Sequence, residues 1–78
     1  MHDGHEGTKS RVLSGIDRRI LELLATGLGT PEIADRLGLP VSVVRATLCD
    51  VIAKVGARSR LEALLIAFRR GLIDLPPE

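Results

Sequence analysis

Residues 30–55 read TPEIADRLGLPVSVVRATLCDVIAKV, and this stretch decides the fold. Thr30 offers a hydroxyl as a helix cap, and Pro31 then takes the first helical position, where its missing N–H is not needed. Gly38 ends this helix after barely two turns, and only two residues separate it from the next apolar-periodic segment. Two short helices joined by three or four residues around a glycine are typical of a helix-turn-helix.

Residues 41–55 are predicted to form a longer helix with one apolar stripe. Five apolar side chains fall within about 100° of arc when successive residues turn by about 100°. They are Val44, Leu48, Val51, Ile52 and Val55. The opposite face carries Ser42, Arg45, Ala46, Cys49, Asp50 and Ala53. The inner stripe would anchor the helix and leave a small, polar outer face free.

Two further helices are predicted, one on each side of this pair. Ser14, with Asp17 three residues later, has the pattern of a capping box, and Gly27 ends the helix that it starts. Ser59 and Glu62 repeat the pattern for a fourth helix. The inward side chains predicted for the first two helices are Ile16, Ile20, Leu23, Leu24, Ile33, Ala34 and Leu37. We therefore expect an all-α fold, a compact four-helix bundle that contains a helix-turn-helix.

The fourth helix, which is predicted to end at Gly71 before Pro76 and Pro77, has more apolar surface than one core stripe requires. One face is predicted to hold Leu61, Leu64, Leu65 and Phe68. The other is predicted to hold Ala63, Ile66 and Ala67, bordered by Arg70. A second apolar face on a small domain usually meets a partner.

The composition excludes several kinds of site. Phe68 is the one aromatic residue among 78, so the aromatic platforms on which single-stranded bases stack cannot be built. Cys49 is the one cysteine, which rules out an internal disulfide and favours a reducing compartment, the cytoplasm. His2 and His5 lie in a Gly-rich start, so we expect no metal cage and no cofactor. The longest apolar run, six residues from Ala63, is too short to span a membrane.

The net charge of +1 is unevenly distributed along the chain. Residues 1–37 hold five basic and six acidic side chains, whereas residues 38–78 hold six basic and four acidic ones. A basic second half is compatible with a phosphate-facing surface, and an ordinary solvated face is the alternative. Residues 1–11 have no apolar periodicity and are predicted to be a disordered arm or linker, followed by one domain over 12–78.

Four segments carry a family pattern, namely LSGIDRRILELLATGL (13–28), PEIADRLGL (31–39), VVRATL (43–48) and KVGARSRLEALLIAFRRGLI (54–73). Together they resemble the LuxR-type helix-turn-helix, the DNA-binding domain of many bacterial response regulators and quorum-sensing activators. The resemblance implies sequence-specific binding of double-stranded DNA and transcription regulation, with the third helix as the recognition helix. It also implies a homodimer through the fourth helix, with Ala63, Ile66, Ala67 and Arg70 at the interface. The alternative is that this helix packs against a receiver domain, a regulatory protein or the N-terminal arm.

On this resemblance, the outer face of the third helix enters the major groove, where base edges present distinct donors and acceptors. Arg45 is the first candidate for a base contact, because a guanidinium can donate two hydrogen bonds to guanine O6 and N7. Ala46 allows close approach and can pack on a thymine methyl, and Cys49 completes the predicted base-contacting set. Basic side chains and hydroxyls near helix ends are suited to phosphate. The predicted phosphate contacts are Thr30, Thr47, Lys54 and Arg58.

Several residues of the recognition helix depart from the family pattern. Pro40 replaces a Ser or Thr cap, which allows a later start at Ser42 and a shifted register of base contact. Val43 stands where threonine is common, and Asp50 adds a negative charge toward the DNA. Cys49 replaces a polar or basic residue, and a small filler is favoured over an oxidisable switch. The predicted recognition face is therefore poor in hydrogen-bond donors.

Two functions from different classes remain open. The first is a dimeric, sequence-specific transcription regulator, and the alternative is a protein-interaction module of the same fold with weak or lost DNA binding. A promoter-reading sigma-factor domain is the weaker third option, because the GARSRLEA segment over residues 56–63 points away from it. No pattern of nucleophile, base and acid and no Gly-rich phosphate loop is present, so we expect no enzyme.

Overall fold

The computed structural model describes residues 13–74, and within this range the chain forms four helices and no strand. The helices are α1 (Gly15–Ala25), α2 (Thr30–Leu37), α3 (Val41–Lys54) and α4 (Arg60–Arg69). The predicted all-α fold with a helix-turn-helix over α2 and α3 is confirmed. The predicted N-terminal arm, His2, His5, Pro76 and Pro77 lie outside the described residues.

The third helix is the centre of the bundle, because α3 packs against α1, α2 and α4. Its inner stripe is as predicted: Val44 and Val51 are fully buried, and Leu48 and Val55 are nearly so. Ile52 is half-buried and packs against the same core. The other large side chains that are fully buried belong to α1 and α2 and are Ile20, Leu21 and Ile33. The orientation of α3 is thus determined by contacts along its whole length.

The first helix begins with the predicted capping box. The backbone N–H of Asp17 donates to Ser14 Oγ (3.2 Å), and the backbone N–H of Ser14 donates to Asp17 Oδ2 (3.0 Å). The predicted stripe of α1 is partly wrong, since Ile16 is exposed and Leu21, which the prediction left out, is fully buried. Residues 17, 20 and 21 lie on the inward face of α1, so the Asp17 carboxylate is on the buried side of the helix.

The predicted cap of the second helix is wrong. Gly29 is the N-cap, and Thr30 is the first helical residue and is buried. The backbone N–H of Gly29 donates to Glu32 Oε1 at 2.9 Å, so the carboxylate three residues on takes the place of a capping hydroxyl. A Cβ on Gly29 would lie 2.9 Å from that same oxygen, so a larger residue there would require the end of the Glu32 side chain to shift.

The turn between α2 and α3 depends on one glycine and one proline. Gly38 ends α2 in the left-handed region (φ 68°), and the N–H of Leu39 then donates to Ala34 O at 2.9 Å. Pro40 is the N-cap of α3, and its carbonyl accepts from the N–H groups of Val43 (3.0 Å) and Val44 (3.2 Å). The alternative start at Ser42 is wrong. The helix begins at Val41, because the Pro40 carbonyl accepts the first helical hydrogen bonds and no side-chain cap is required. The register of α3 is therefore unshifted.

The fourth helix has half of its predicted capping box. Ser59 Oγ accepts from the N–H of Glu62 at 3.2 Å, as expected. The Glu62 carboxylate, however, accepts from the N–H of Arg58 at 2.6 Å, one residue before the cap. Beyond α4, Ile73 is buried in the core, and Arg18 Nε of α1 donates to Leu72 O at 3.1 Å. The residues after the last helix are thus held against α1.

None of the helices in residues 13–74 is long and apolar enough to cross a lipid bilayer. Over the same residues, His, Cys, Asp and Glu side chains form no cluster of three or more that could hold a metal ion.

Candidate nucleic-acid interface

The outer face of α3 is open to solvent along most of its length. Its exposed side chains are Ser42, Val43, Arg45, Ala46, Cys49, Asp50 and Ala53. Because the inner stripe of the same helix is buried from Val44 to Val55, this face is presented by a helix that is held in place. The chain therefore combines a fixed helix with a free surface of small side chains.

The structure brings the three predicted base-contacting residues onto one face. Arg45 and Cys49 are one helical turn apart and Ala46 lies beside them, all three exposed. Asp50, one helical turn after Ala46, is exposed as well and sets a carboxylate on the edge of the face away from Arg45. The face can donate through Arg45 and the Ser42 hydroxyl, can accept through Asp50, and elsewhere offers mostly methyl groups and a thiol.

The four predicted phosphate-contacting residues are in different environments. Arg58 is exposed in the segment between α3 and α4, and Thr47 is half-buried on the flank of α3. Thr30 is buried at the first position of α2, where the helix N-terminus carries partial positive charge. Lys54, in the last turn of α3, already has an intramolecular partner.

That partner is Asp17, a residue that the sequence analysis placed only in a helix cap. Lys54 Nζ lies 2.8 Å from Asp17 Oδ2, and the two side chains are 25% and 5% exposed. Burial alone raises the pKa of the Asp17 carboxyl. The hydrogen bond from Lys54 and the N–H of Ser14 outweigh burial, so the pKa of Asp17 lies below its usual value. Asp17 lies three and four positions before Ile20 and Leu21, so its carboxylate shares their inward face of α1. That inward carboxylate was the sequence signal that could have revealed the pair.

The predicted assignment of the alanine face of α4 to a partner is wrong. Ala63 and Ala67, predicted at the dimer interface, are fully buried in the core of their own domain. Leu61 (66% exposed), Leu65 (51%) and Phe68 (44%), predicted to lie on the other face, are exposed to solvent. The physical reason is the distance between the α4 backbone and the rest of the bundle. Two alanines allow the backbone to lie close, whereas leucines in their places would hold it farther away. Of the predicted interface set, Ile66 is half-buried and Arg70 is exposed.

The comparisons with known proteins agree with this architecture. Residues 11–67 match the family described as "Bacterial regulatory proteins, luxR family". The solved structure of the transcription factor GerE superposes with a TM-score of 0.80 at 31% sequence identity, covering 82% of this chain and 96% of that one. This likeness extends over all four helices.

Two curated relatives are longer proteins. The transcriptional regulatory protein YdfI of Bacillus subtilis is 36% identical over 56 residues, which are 72% of this chain and 26% of YdfI. The oxygen regulatory protein NreC of Staphylococcus aureus is 33% identical over 64 residues, 82% of this chain and 30% of NreC. The chain thus spans less than a third of these relatives. On the family match, these relatives and the GerE likeness together, the chain belongs to the LuxR family of bacterial regulatory proteins and is a DNA-binding, transcription-regulating helix-turn-helix domain.

Proposed function

We propose that the chain binds specific double-stranded DNA by laying the outer face of α3 in the major groove. The observation that carries this proposal is the contrast within α3 between a buried inner stripe and an exposed outer face. An α-helix is about 10–12 Å across with its side chains, which is close to the width of the groove. The small side chains at positions 46 and 49 would let the helix backbone come near the base edges.

Arg45 supplies the specific contact in this proposal. Its guanidinium is exposed on the outer face and can donate to guanine O6 and N7. Ala46 and Cys49 then pack against neighbouring base edges, and the methyl group of thymine is the best match for Ala46. Because the face has few other donors, we expect one strongly read guanine and weaker preferences around it.

Phosphate contacts come from residues beside the outer face. Arg58 is exposed just beyond α3 and can approach the backbone as a charged donor. Thr47 on the flank of α3 and the N-terminal turn of α2 at Thr30 can donate to phosphate oxygens. These contacts would hold the domain in register without reading sequence.

Dimerisation is proposed through α4, by a different face from the one that the sequence indicated. Leu61, Leu65 and Phe68 project from one side of α4 and are the largest exposed apolar side chains of that helix. A two-fold pair through this face would present two α3 helices to inverted half-sites about one turn of DNA apart. A receiver domain or a regulatory protein on the same face is the alternative occupant.

Salt-dependent binding tests the proposal against the interaction-module alternative. Affinity for duplexes selected from a random pool should fall steeply with salt, with a log–log slope of about −0.9 for each neutralised phosphate. Arg45→Ala should weaken the selected duplex and leave random duplexes nearly unchanged, whereas Arg58→Ala should weaken both alike. A flat salt response with only millimolar affinity would favour the interaction module, for which the donor-poor face of α3 is the supporting observation.

The role in the whole protein is also a proposal. The relatives are roughly three to four times as long as the matched segment, so a sensing or receiver domain elsewhere would supply the signal. A regulator that acts on a bacterial chromosome works in the cytoplasm. Binding by the isolated 78-residue chain at low salt, compared with a longer chain, measures how much of the affinity resides in this domain.

A further inference from the structure

We propose that Lys54 is a positioning residue for the recognition helix and not a phosphate ligand. Its ammonium lies 2.8 Å from the Asp17 carboxylate, which is almost completely shielded from water. The inference rests on the proposed function, because it concerns how α3 is aimed at DNA. It replaces the phosphate role that the position of Lys54 at the end of α3 had indicated.

The two charges occupy the helix ends that suit them. Asp17 lies in the first turn of α1 and Lys54 in the last turn of α3, so each charge opposes the partial charge of its own helix terminus. Asp17 Oδ2 also accepts from the N–H of Ser14 at 3.0 Å, which fixes the carboxylate on a rigid cap. Lys54 therefore binds to a fixed point on α1.

Breaking the contact between Lys54 and Asp17 is costly in free energy. If Lys54 turned away toward a phosphate, the Asp17 carboxylate would remain in the interior without its cation. Phosphate would have to replace a charge-assisted hydrogen bond that is already formed, whereas Arg58 is exposed and needs no such exchange. The positive charge of Lys54 is used inside the domain.

The pair limits rotation of α3 about its own axis. Side-chain tips lie about 5 Å from a helix axis, so a roll of about 20° moves them by about 2 Å. Such a roll would separate Lys54 Nζ from Asp17 Oδ2 beyond hydrogen-bonding distance. The same roll would move the Arg45 guanidinium by a similar amount on the outer face, which is enough to break a bidentate contact with guanine. Asp17 thus helps to set, through α3, the position of Arg45 against the base edges.

The experiment compares Asp17→Asn, Lys54→Met and the double variant, at a temperature where circular dichroism shows each to be folded. Arg58→Met is the matched control for loss of a basic side chain. We expect each single variant to weaken the selected duplex about three- to tenfold, random duplexes less, and to keep the salt slope of the parent. The double variant should bind the selected duplex no more weakly than the worse of the two single variants. Lys54→Arg should have an affinity within about twofold of the parent's. Arg58→Met should reduce the salt slope by about 0.9.

Two results would overturn the inference. One is a Lys54→Met salt slope reduced by about 0.9, equal to that of Arg58→Met, since Lys54 would then bind phosphate. The other is unchanged affinity of Asp17→Asn for the selected duplex. If either single variant fails to fold, the affinity and salt slope of the double variant provide the test, because removing both charges leaves no unpaired ion in the interior. A parent chain that binds no duplex would refute the proposed function itself, which distinguishes that failure from failure of the pair alone.

Discussion

The outer faces of α3 and α4 are built in opposite ways. Helix α3 buries its large side chains, Val44, Leu48 and Val51, and exposes mostly small or polar ones. Helix α4 buries two alanines and exposes two leucines and a phenylalanine. One face is suited to a polar, grooved surface such as DNA, and the other to an apolar surface that excludes water.

This difference shows that apolar residue type alone does not identify the core side of a helix. In α3 size and burial coincide, whereas in α4 the smallest apolar residues are the most buried. Close approach of a backbone favours alanine, and the larger residues are then left for another contact.

Leu48→Ala and Leu65→Ala should differ strongly in their effect on stability. Leu48 is 3% exposed in the core side of α3, so its truncation should reduce the free energy of unfolding by about 3 kcal/mol. Leu65 is 51% exposed on α4, and its truncation should cost less than about 0.5 kcal/mol in a monomeric sample. Urea unfolding at low protein concentration measures both. Similar losses in the two variants would mean that the outer face of α4 is packed within its own domain.

Asp17→Asn should reduce the free energy of unfolding by about 2 kcal/mol at pH 7, because it leaves Lys54 without its carboxylate. The pKa of Asp17 is below its usual value in the fold, so the ion pair stabilises the protein above the ordinary Asp pKa of about 3.9. Its contribution is lost as the pH falls through the lowered pKa.

The measurement is unfolding of parent and variant at a series of pH values from 7 downward. The difference between the two should be constant down to about pH 4 and then shrink. The other carboxylates titrate in both proteins and cancel in the difference. A difference that stays the same at the lowest pH would remove the ion pair as the cause.

Leu65→Glu and Ala46→Glu should separate the two faces functionally. A glutamate at position 65 should weaken self-association at least about tenfold, roughly 1.4 kcal/mol, by placing a charge in an apolar contact. A glutamate at position 46 should abolish binding to the selected duplex and leave self-association unchanged. Sedimentation equilibrium and fluorescence anisotropy measure the two properties. A parent chain that is monomeric at high micromolar concentration would exclude the proposed dimer.

Cys49→Ser should have the smallest effect. The thiol is exposed, and serine is similar in size, so affinity for the selected duplex should change less than about threefold. Mild peroxide treatment should then affect parent and variant alike if Cys49 is a small filler of the recognition face. Loss of binding in the parent alone would indicate that oxidation of Cys49 matters.

The helices and the turn between α2 and α3 could be predicted because their signals are local. Ser14 with Asp17, Gly38, and the apolar stripe beginning at Val44 each act within one or two helical turns. The face of α4 could not be predicted, since periodicity locates a stripe without telling which side of it meets the bundle. The packing distance that favours Ala63 and Ala67 is a property of the assembled helices.

The candidate site was predictable in part for the same reason. The exposure of Arg45, Ala46 and Cys49 follows from the stripe on the opposite side of α3. The pairing of Lys54 with Asp17 spans 37 positions in the chain and depends on how α1 and α3 cross. A long-range ion pair of this kind leaves one sequence signal, a carboxylate at an inward position.

Ile73 makes the cooperative unit longer than its helices. The last helix ends at Arg69 and the family match at residue 67, yet Ile73 is 3% exposed and the Leu72 carbonyl accepts from Arg18. A truncated protein that stops at Arg69 would keep every turn of α4 and lose both the buried Ile73 side chain and the hydrogen bond to α1. An expression boundary drawn at the last helical residue would therefore cut through the minimal folding unit, which extends four residues further.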